Sequence, residues 1–324
     1  MKEGEYMKIT VIGCGRWGSL ITWYLDSIGH DVTLYGRENS KNMQRFIMER
    51  KNDLLVFPES IKLVTNLACV KEADVIVISV NSQGLQALMD ELKQYELTDK
   101  IFVLCMKGIE ISTGRRLSQI ANDNLDFSNN VAVWIGPGHV QEFYHGIPNC
   151  MVIDSNDSKT KELLVNEFSS DLIRFYYGQD LIGNEIGAAA KNVIGIAAGM
   201  LDGLDLSTLK GALMSRGTRE VARLIKAMGG NELSAYGLCH LGDYEATVFS
   251  QFSHNRRFGE AFIKKEPFDK LAEGYYTVKA MLNLGKNYGV DLPICTAVYE
   301  ILYREKDAKD VLNGLFTRSL KNEF

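Results

Sequence analysis

Long apolar runs and export signals are missing from this 324-residue chain. No stretch approaches the roughly 18 consecutive apolar residues that a membrane-spanning helix needs. The N-terminal sequence "MKEGEYMKIT" lacks the basic and then apolar order of a secretory signal peptide. The sequence therefore predicts a cytoplasmic protein without membrane insertion.

Paired cysteines and long basic runs are also missing. The six cysteines stand singly, without a C-x-x-C pair or a Cys/His cluster at metal-ligand spacing. We interpret them as small buried apolar residues and expect no metal site. The formal net charge of −5 argues against nucleic acid as a partner. The densest cationic stretch, "NRRFG" at Asn255 to Gly259, is long enough to bind one phosphate.

Two domains are expected from the length and from a change in pattern. From Lys8 to about Tyr177, short β-branched runs alternate with helix-period segments, which is typical of a parallel sheet with crossover helices. From Leu181 onward the pattern is helical. We predict an α/β domain with a mostly parallel sheet at 7–180 and an all-helical domain at 181–324. The predicted helices of the second domain include 183–201, 208–228, 275–288 and 294–305. The predicted strands are 9–12, 32–35, 75–80, 101–106, 131–135, 150–153 and 173–176.

Glycine, lysine, arginine, asparagine or serine follows five of the predicted strands. Ligands of open α/β sheets bind outside the carboxyl ends of the strands. We therefore expect the binding site at this edge. The five positions are Gly13 to Gly18, Gly36-Arg37, Asn81-Ser82, Lys107-Gly108 and Gly136 to Gly138.

The glycine-rich stretch "GCGRWG" follows the first strand and opens a helix-period segment. In this context it predicts a dinucleotide-binding turn. Gly13 would make the tight turn, Gly15 would let the backbone approach a pyrophosphate, and Gly18 would let helix and sheet pack closely. The N–H groups at the helix start would face the anion.

The cofactor choice depends on the residues after the second strand, Arg37 and Glu38. An arginine there accommodates the 2′-phosphate of NADP, whereas an acidic residue binds the ribose of NAD. Arg37 favours NADP, and Glu38 leaves NAD possible.

The predicted helix 183–201 places Asn184, Ala188, Lys191 and Gly195 on one face, where Lys191 is the only long side chain. Such a bare face suits close approach by a ligand and by the other domain. The alternative is a surface lysine on an alanine-rich helix. Lys107 follows the strand "IFVLCM", and we expect both lysines to face one cleft. Reduction of a carbonyl by hydride needs a proton donor there, and the spacing does not decide which lysine serves.

Eight motifs occur in one order along the chain. They are "GCGRWG", "MKGIE", "GPGHVQE", "GAAAKNVIGIAAGMLDGL", "SRGTREVARL", "HLGDYEAT", "SHNRRFGEAF" and "AEGYYTVKA". With them the chain resembles the NAD(P)-dependent glycerol-3-phosphate dehydrogenases over about 310 residues. The resemblance implies an N-terminal Rossmann domain, commonly a homodimer, and reversible reduction of dihydroxyacetone phosphate to sn-glycerol 3-phosphate for phospholipid synthesis.

The resemblance also implies roles for single residues. Lys191 would be the general acid/base, Asp243 would orient it, and Lys107 would contact substrate and cofactor. Arg256 matches a family arginine and receives no role. The cofactor-binding residues would be Gly13, Gly15, Arg16, Trp17, Gly18, Arg37, Lys107, Val140, His254 and Glu273. The substrate-binding residues would be Lys107, Gly136, Gly138, Lys191, Asn192, Asp243, Thr247, Ser253, His254 and Asn255.

Several positions depart from the family pattern. Gly138 and Val140 stand where serine and alanine are usual, and Arg16 stands where a small residue is usual. His254 replaces an arginine expected at the substrate phosphate. Loss of that charged hydrogen bond would cost about 1.5–3 kcal/mol. Gly138 and His254 leave open a related dehydrogenase for another small phosphorylated or acidic carbonyl substrate. A nucleotide-binding regulatory or scaffold protein without turnover is a separate alternative, against which the presence of Lys107, Lys191 and Asp243 argues.

Three further side chains beside the motifs are interpreted as structural. Trp17 is expected to pack beneath the phosphate loop rather than to stack on a ligand. His139 and His240 are interpreted as turn or core histidines.

Overall fold

The computed structural model describes residues 6–319 and 322, which divide into two compact units. The first unit runs to Lys107 and resumes with Arg115–Leu181. The second comprises Gly108–Gly114 and the chain from Ile182 onward. The sequence pattern predicts Gly108–Gly114 in the first domain. It belongs with the helical unit because Ile109 is fully buried in the core of that unit.

A mostly parallel sheet of eight strands is the centre of the first unit, counted over the described residues. The strands are β1 (Lys8–Ile12), β2 (Asp31–Tyr35), β3 (Lys62–Val64), β4 (Val75–Ile78), β5 (Ile101–Leu104), β6 (Asn130–Ile135), β7 (Asn149–Ser155) and β8 (Ile173–Tyr177). In space they lie in the order β3-β2-β1-β4-β5-β6-β7-β8. Every neighbouring pair is parallel except β6 and β7. The predicted mostly parallel α/β domain is confirmed.

The structure confirms all seven predicted strands, with small shifts at their ends. Both faces of such a sheet are covered, so strands such as β4, "VIVI", are apolar at every position. The sequence pattern misses β3, which has only three residues at the edge of the sheet. So short a strand gives no periodic signal.

The parallel pairing of β1 to β6 puts the carboxyl ends of these six strands at one edge. Strand β1 pairs in parallel with β2 on one side and β4 on the other, so the direction of winding reverses there. This reversal is the usual ligand-binding position of an open α/β sheet. The helices of this unit are α1 (Arg16–Ser27), α2 (Lys41–Glu49), α3 (Leu85–Leu92), α4 (Leu117–Asn124), α5 (Val140–Tyr144) and α6 (Ser158–Phe168).

The second unit is helical, as predicted. Its helices are α7 (Leu181–Gly203), α8 (Lys210–Ala227), α9 (His254–Lys264), α10 (Glu273–Asn287), α11 (Pro293–Arg304) and α12 (Ala308–Phe316). The four predicted segments correspond to α7, α8, α10 and α11. Helix α7 lies at the centre, with Ile186, Val193 and Ile196 buried in the core.

Glycines let α7 and α9 cross with their backbones almost in contact. A Cβ at Gly259 of α9 would overlap the carbonyl oxygen of Ile196, and one at Gly199 of α7 would overlap that of Arg256. A Cβ at Gly195 would lie 2.7 Å from Thr247 Cγ2. Part of the small-residue character of α7 is therefore explained by packing within its own unit.

Helix α12 is attached differently from the other helices of this unit. None of its residues is buried, and Phe316 is 66% exposed. Its N-terminus is capped by the Asp307 side chain, which accepts hydrogen bonds from the N–H groups of Lys309 and Asp310. Ala308 and Val311 pack against the core of the unit but stay partly exposed.

None of the helices in the described ranges is long and apolar enough to cross a membrane. Across residues 6–319 and 322, no group of three or more His, Cys, Asp or Glu side chains is arranged to hold a metal ion.

Candidate active site

The turn after β1 depends on two glycines whose side-chain positions are occupied. Gly13 has φ +115°, and a Cβ there would overlap the carbonyl oxygen of Ser79. A Cβ at Gly18 would overlap the carbonyl oxygen of Gly13. The Gly13 N–H donates to the carbonyl of Tyr35 at 3.0 Å, which ties the turn to the end of β2. A tight turn and close packing of helix on sheet both require glycine here.

Gly15 is different, because no described atom lies within 4 Å of the position its Cβ would take. It is the N-cap of α1, and no side chain of the described residues caps that helix end. The first turn of α1 carries no acidic residue. Open space before an uncapped helix N-terminus fits the pyrophosphate of a dinucleotide.

The side chains around this turn are held in different ways. Arg16 is exposed and donates to Gln141 Oε1 at 3.3 Å. The ring of Trp17 lies 6.1 Å from that of Phe143, centre to centre. Arg37 is exposed directly after β2, which is the position that selects between NADP and NAD.

Lys107 follows β5 and is directed toward the loop after β6. Its Nζ donates to the carbonyl of Gly136 at 2.6 Å. Gly138 has φ +142°, and a Cβ there would overlap the ring of Phe143. The departure from serine at this position therefore accompanies a phenylalanine ring that fills the space. Val140 opens α5 with its side chain buried in the core.

In the second unit, Lys191, Asp243 and Thr247 form what we call the Lys191 cluster. Lys191 Nζ lies 2.8 Å from Asp243 Oδ2 and donates to Thr247 Oγ1 at 2.8 Å. The side chains of Lys191 and Asp243 are 10% and 1% exposed. If the Lys191 ammonium moved away from Asp243, both charges would be buried without a counter-charge. This cost keeps the ammonium beside the carboxylate.

Two irregular turns bring the acceptors to Lys191. Asp243 ends the 3₁₀ turn Leu241–Asp243, and Thr247 lies in the π-helical turn Glu245–Phe249. π-helical turns are rare in proteins, and those that occur often lie at functional sites.

An amide pair lies next to this cluster in the sequence. Asn255 Nδ2 donates to Asn192 Oδ1 at 3.0 Å, and the Gly274 N–H donates to Asn255 Oδ1 at 2.9 Å. These two contacts fix which side of the Asn255 amide is donor and which is acceptor. Ser253 caps α9 by accepting from the Arg256 N–H at 3.3 Å, and His254 is the first residue of that helix. Glu273 opens α10.

The structure thus brings the predicted residues together in two groups. The first unit holds the glycine turn, Arg16, Trp17, Arg37, Lys107, Gly136, Gly138 and Val140. The second holds the Lys191 cluster with Asn192, Ser253, His254, Asn255 and Glu273. Lys107 and Lys191 lie in different units, and their convergence on one cleft stays a prediction.

His240 is a core residue, as interpreted from the sequence. It is fully buried, with Nδ1 2.8 Å from the Gly187 carbonyl and Nε2 2.7 Å from the Tyr244 hydroxyl. Burial lowers its pKa to about 4, so it is neutral at physiological pH.

Sequence reasoning gives no role to Asp202 and Lys210, although Asp202 lies within the motif "GAAAKNVIGIAAGMLDGL"; the two form a buried ion pair in the same unit. The spacing along α7 is the one sequence signal that could have connected Asp202 with Lys191. Asp202 follows Lys191 by three helical turns, which puts both on one face of α7.

Family models match both parts of the chain. A model described as NAD-dependent glycerol-3-phosphate dehydrogenase N-terminus matches residues 8–161, and one described as the C-terminus of the same enzyme matches 180–313. A curated protein of Thermoanaerobacter sp., named glycerol-3-phosphate dehydrogenase [NAD(P)+], is 33% identical over 98% of this chain and 99% of its own length. One of Fusobacterium nucleatum with the same name is 34% identical over 98% of both chains.

Solved structures agree in fold. The crystal structure of glycerol-3-phosphate dehydrogenase from Coxiella burnetii has a TM-score of 0.90 at 27% identity and covers 97% of this chain and 99% of that chain. The yeast enzyme, at 20% identity over 95% of this chain and 99% of that chain, has a TM-score of 0.81 and shows the likeness of fold alone. With two family models covering most of its length and relatives above 30% identity over almost all of it, the chain belongs to the NAD-dependent glycerol-3-phosphate dehydrogenase family.

Proposed function

We propose that this chain catalyses the reversible NAD(P)H-dependent reduction of dihydroxyacetone phosphate to sn-glycerol 3-phosphate. The observation that carries the proposal is the buried Lys191 ammonium held by Asp243 and Thr247. It lies in a chain whose curated relatives are named glycerol-3-phosphate dehydrogenase [NAD(P)+].

Lys191 is the general acid of the reduction in this proposal. When a hydride adds to the carbonyl carbon, the carbonyl oxygen becomes an alkoxide, and the Lys191 ammonium donates a proton to it. In the reverse direction the neutral amine accepts the proton from the alcohol. Asp243 stabilises the charged ammonium and, with Thr247, sets its direction.

The amide pair supports binding of the substrate. Asn255 has a fixed orientation, and we assign it to the substrate phosphate, with Asn192 beside it. On the family resemblance, the other substrate contacts are assigned to Lys107, Gly136, Gly138, Ser253 and His254.

The residues of the first unit fit a dinucleotide. Gly13, Gly15 and Gly18 with the start of α1 would hold the pyrophosphate, and a bound nicotinamide would supply the hydride. On the family resemblance, Arg16, Trp17, Lys107 and Val140 of this unit complete the proposed contacts, together with His254 and Glu273 of the second unit. Because the Val140 side chain is in the core, its contact would run through the main chain.

The exposed Arg37 supports NADP as the preferred cofactor, because a guanidinium can bind the 2′-phosphate with two hydrogen bonds. The Arg37→Gln variant should raise KM for NADPH on the order of tenfold and leave KM for NADH nearly unchanged. The exposed Lys41 in the first turn of α2 gives a matched control, and Lys41→Gln should change neither constant. An equal rise of KM for NADPH and for NADH in Arg37→Gln would show that Arg37 does not bind the 2′-phosphate, and the preference for NADP would be withdrawn.

We also propose a cytoplasmic homodimer that supplies a glycerophospholipid precursor, as the family resemblance implies. All six cysteines are free, which is typical of a reducing compartment.

The deciding experiment follows the loss of reduced-nicotinamide absorbance with dihydroxyacetone phosphate. The purified chain should turn this substrate over, and Lys191→Met should lower kcat by about 10²–10⁴-fold while NADPH still binds. Turnover of another small phosphorylated or acidic ketone, but not of dihydroxyacetone phosphate, would replace the substrate. Stoichiometric NADPH binding without any turnover would reject the enzymatic proposal.

A further inference from the structure

A buried carboxylate near the end of α7 gathers three donors. Lys210 Nζ lies 2.7 Å from each oxygen of Asp202. Arg256 Nε donates to Oδ2 at 2.6 Å, and Ser207 Oγ donates to Oδ1 at 2.6 Å. We call these four residues the Asp202 network.

The network is buried enough for its charges to matter. The side chains of Asp202 and Lys210 are each 8% exposed, and that of Arg256 is 18% exposed. Burial opposes ionisation of Asp202, but Lys210, Ser207 and Arg256 outweigh it and hold the pKa of this carboxyl below its usual value. The group is therefore a carboxylate at neutral pH, bound by charge-assisted hydrogen bonds.

One branch of the network leads to the Lys191 cluster. Lys210 Nζ also donates to the carbonyl of Val248 at 3.2 Å and lies 5.5 Å from the ring centre of Phe249. Both residues belong to the π-helical turn Glu245–Phe249. Thr247, in the same turn, accepts the hydrogen bond from Lys191. Lys210 thus holds the turn one residue from the hydroxyl that orients the catalytic ammonium.

The other branch leads to the amide pair. Arg256 lies in the first turn of α9, directly after Asn255. Its guanidinium is bound to Asp202 and lies 3.6 Å from Glu260 Oε2. These contacts of Arg256 hold the start of α9, where Asn255 donates its hydrogen bond to Asn192.

We propose that Asp202 is a positioning residue that fixes, through Lys210 and Arg256, the two segments carrying Thr247 and Asn255. It contacts no reacting atom itself. The inference rests on the proposed function, because its effect is exerted through Lys191 and Asn255. A purely structural role would lower stability without a selective effect on turnover or substrate binding.

The first test is Asp202→Asn, which keeps the shape and removes the charge. We expect kcat for dihydroxyacetone phosphate to fall ten- to a hundredfold, because small misplacements of catalytic groups are costly. KM for this substrate should rise, and the Kd of NADPH should not change. Lys226→Met is the matched control, since it removes an exposed ion pair with Glu232 at the other end of α8. It should change none of these constants.

The two branches can be separated by their effects. Lys210→Met should mainly lower kcat, about tenfold, and Arg256→Gln should mainly raise KM for dihydroxyacetone phosphate by a similar factor. A double-mutant cycle then tests the route to Lys191. After Thr247→Val has removed the hydroxyl, Lys210→Met should lower kcat by less than about twofold.

The unfolding midpoint of each variant is compared with that of the parent chain to show that the variant is folded. If Asp202→Asn does not fold, Lys210→Met replaces it as the test. Equal losses of kcat in both backgrounds of the cycle would show a structural role and overturn the inference. Unchanged kcat and KM in a folded Asp202→Asn would do the same while leaving the proposed function intact. If the unsubstituted chain does not reduce dihydroxyacetone phosphate, the proposed function fails and this inference falls with it.

Discussion

The crossing of α7 and α9 predicts that adding a single methyl group at Gly259 damages the protein. In Gly259→Ala, the new Cβ would lie 3.0 Å from Ile196 C and from Met200 N and would overlap the Ile196 carbonyl oxygen. Ordinary carbon contacts begin at about 3.5 Å. The obstructing atoms are backbone, so no side-chain rotation relieves the overlap. Because the Ile196 carbonyl oxygen is the closest of these atoms, the two helices would have to separate by about 1 Å.

The expected cost can be worked out from two opposing effects. Overpacking a well-packed core costs about 1–3 kcal/mol, and the upper end applies where backbone is hit. Alanine is a better helix former than glycine by about 1 kcal/mol. The net loss of unfolding free energy should be about 2 kcal/mol. Gly211 of α8 provides the control, because a Cβ there meets no described atom within 4 Å. Gly211→Ala should stabilise the protein by up to about 1 kcal/mol.

Urea unfolding of the two variants measures the difference, which should be about 3 kcal/mol with opposite signs about the parent. Gly199→Ala probes the same crossing from α7, and the double variant should cost less than the two single losses together, since the helices separate only once. If Gly259→Ala is as stable as Gly211→Ala, the close crossing is wrong.

Three further predictions concern other parts of the chain. Burial raises the pKa of Glu220 to about 7, although the N–H groups of Ile294 and Cys295 donate to it. A raised carboxyl pKa makes the folded state bind the proton more tightly, so stability should fall by about 3 kcal/mol as pH rises from about 4.5 to about 7, and Glu220→Gln should abolish this slope in pH-dependent unfolding. Arg16→Ser should weaken NADPH binding a few-fold in a fluorescence titration without changing KM for dihydroxyacetone phosphate; an unchanged Kd would make Arg16 a solvated side chain. His254→Arg should lower that KM about tenfold by adding a charged hydrogen bond, and steady-state kinetics showing no change would remove His254 from the phosphate site.

Structure can be predicted from the sequence most securely at positions where only one residue type meets a physical requirement. Gly13 needs a positive φ and Gly18 needs the absence of a Cβ, so a glycine pattern after a strand has a specific meaning in the sequence alone. The strands are predictable because both faces of a parallel sheet are buried, which makes their sequences continuously apolar.

The Asp202 network cannot be predicted in the same way. Asp202 and Arg256 are 54 residues apart in the sequence, and their pairing depends on how α9 lies across α7. An aspartate near a helix end is ordinarily a solvated charge, and no spacing rule connects it to an arginine on another helix. The Gly195 position shows the same limit. Small residues on a helix face indicate close approach, but tertiary packing decides whether the neighbour is a ligand or, as here, Thr247 of the same unit.

The attachment of α12 has a consequence for how the second unit opens. Local unfolding needs less free energy where no fully buried side chain is exposed, and no residue of α12 is buried. The backbone amides of α12 should therefore exchange with solvent deuterium through a local opening, long before those of α7. The C-terminal family match ends at residue 313, inside this helix. A fluorophore joined beyond Phe316 would then report fraying of α12. An affinity tag joined there would tolerate this fraying, because the fold around Lys191 stays closed.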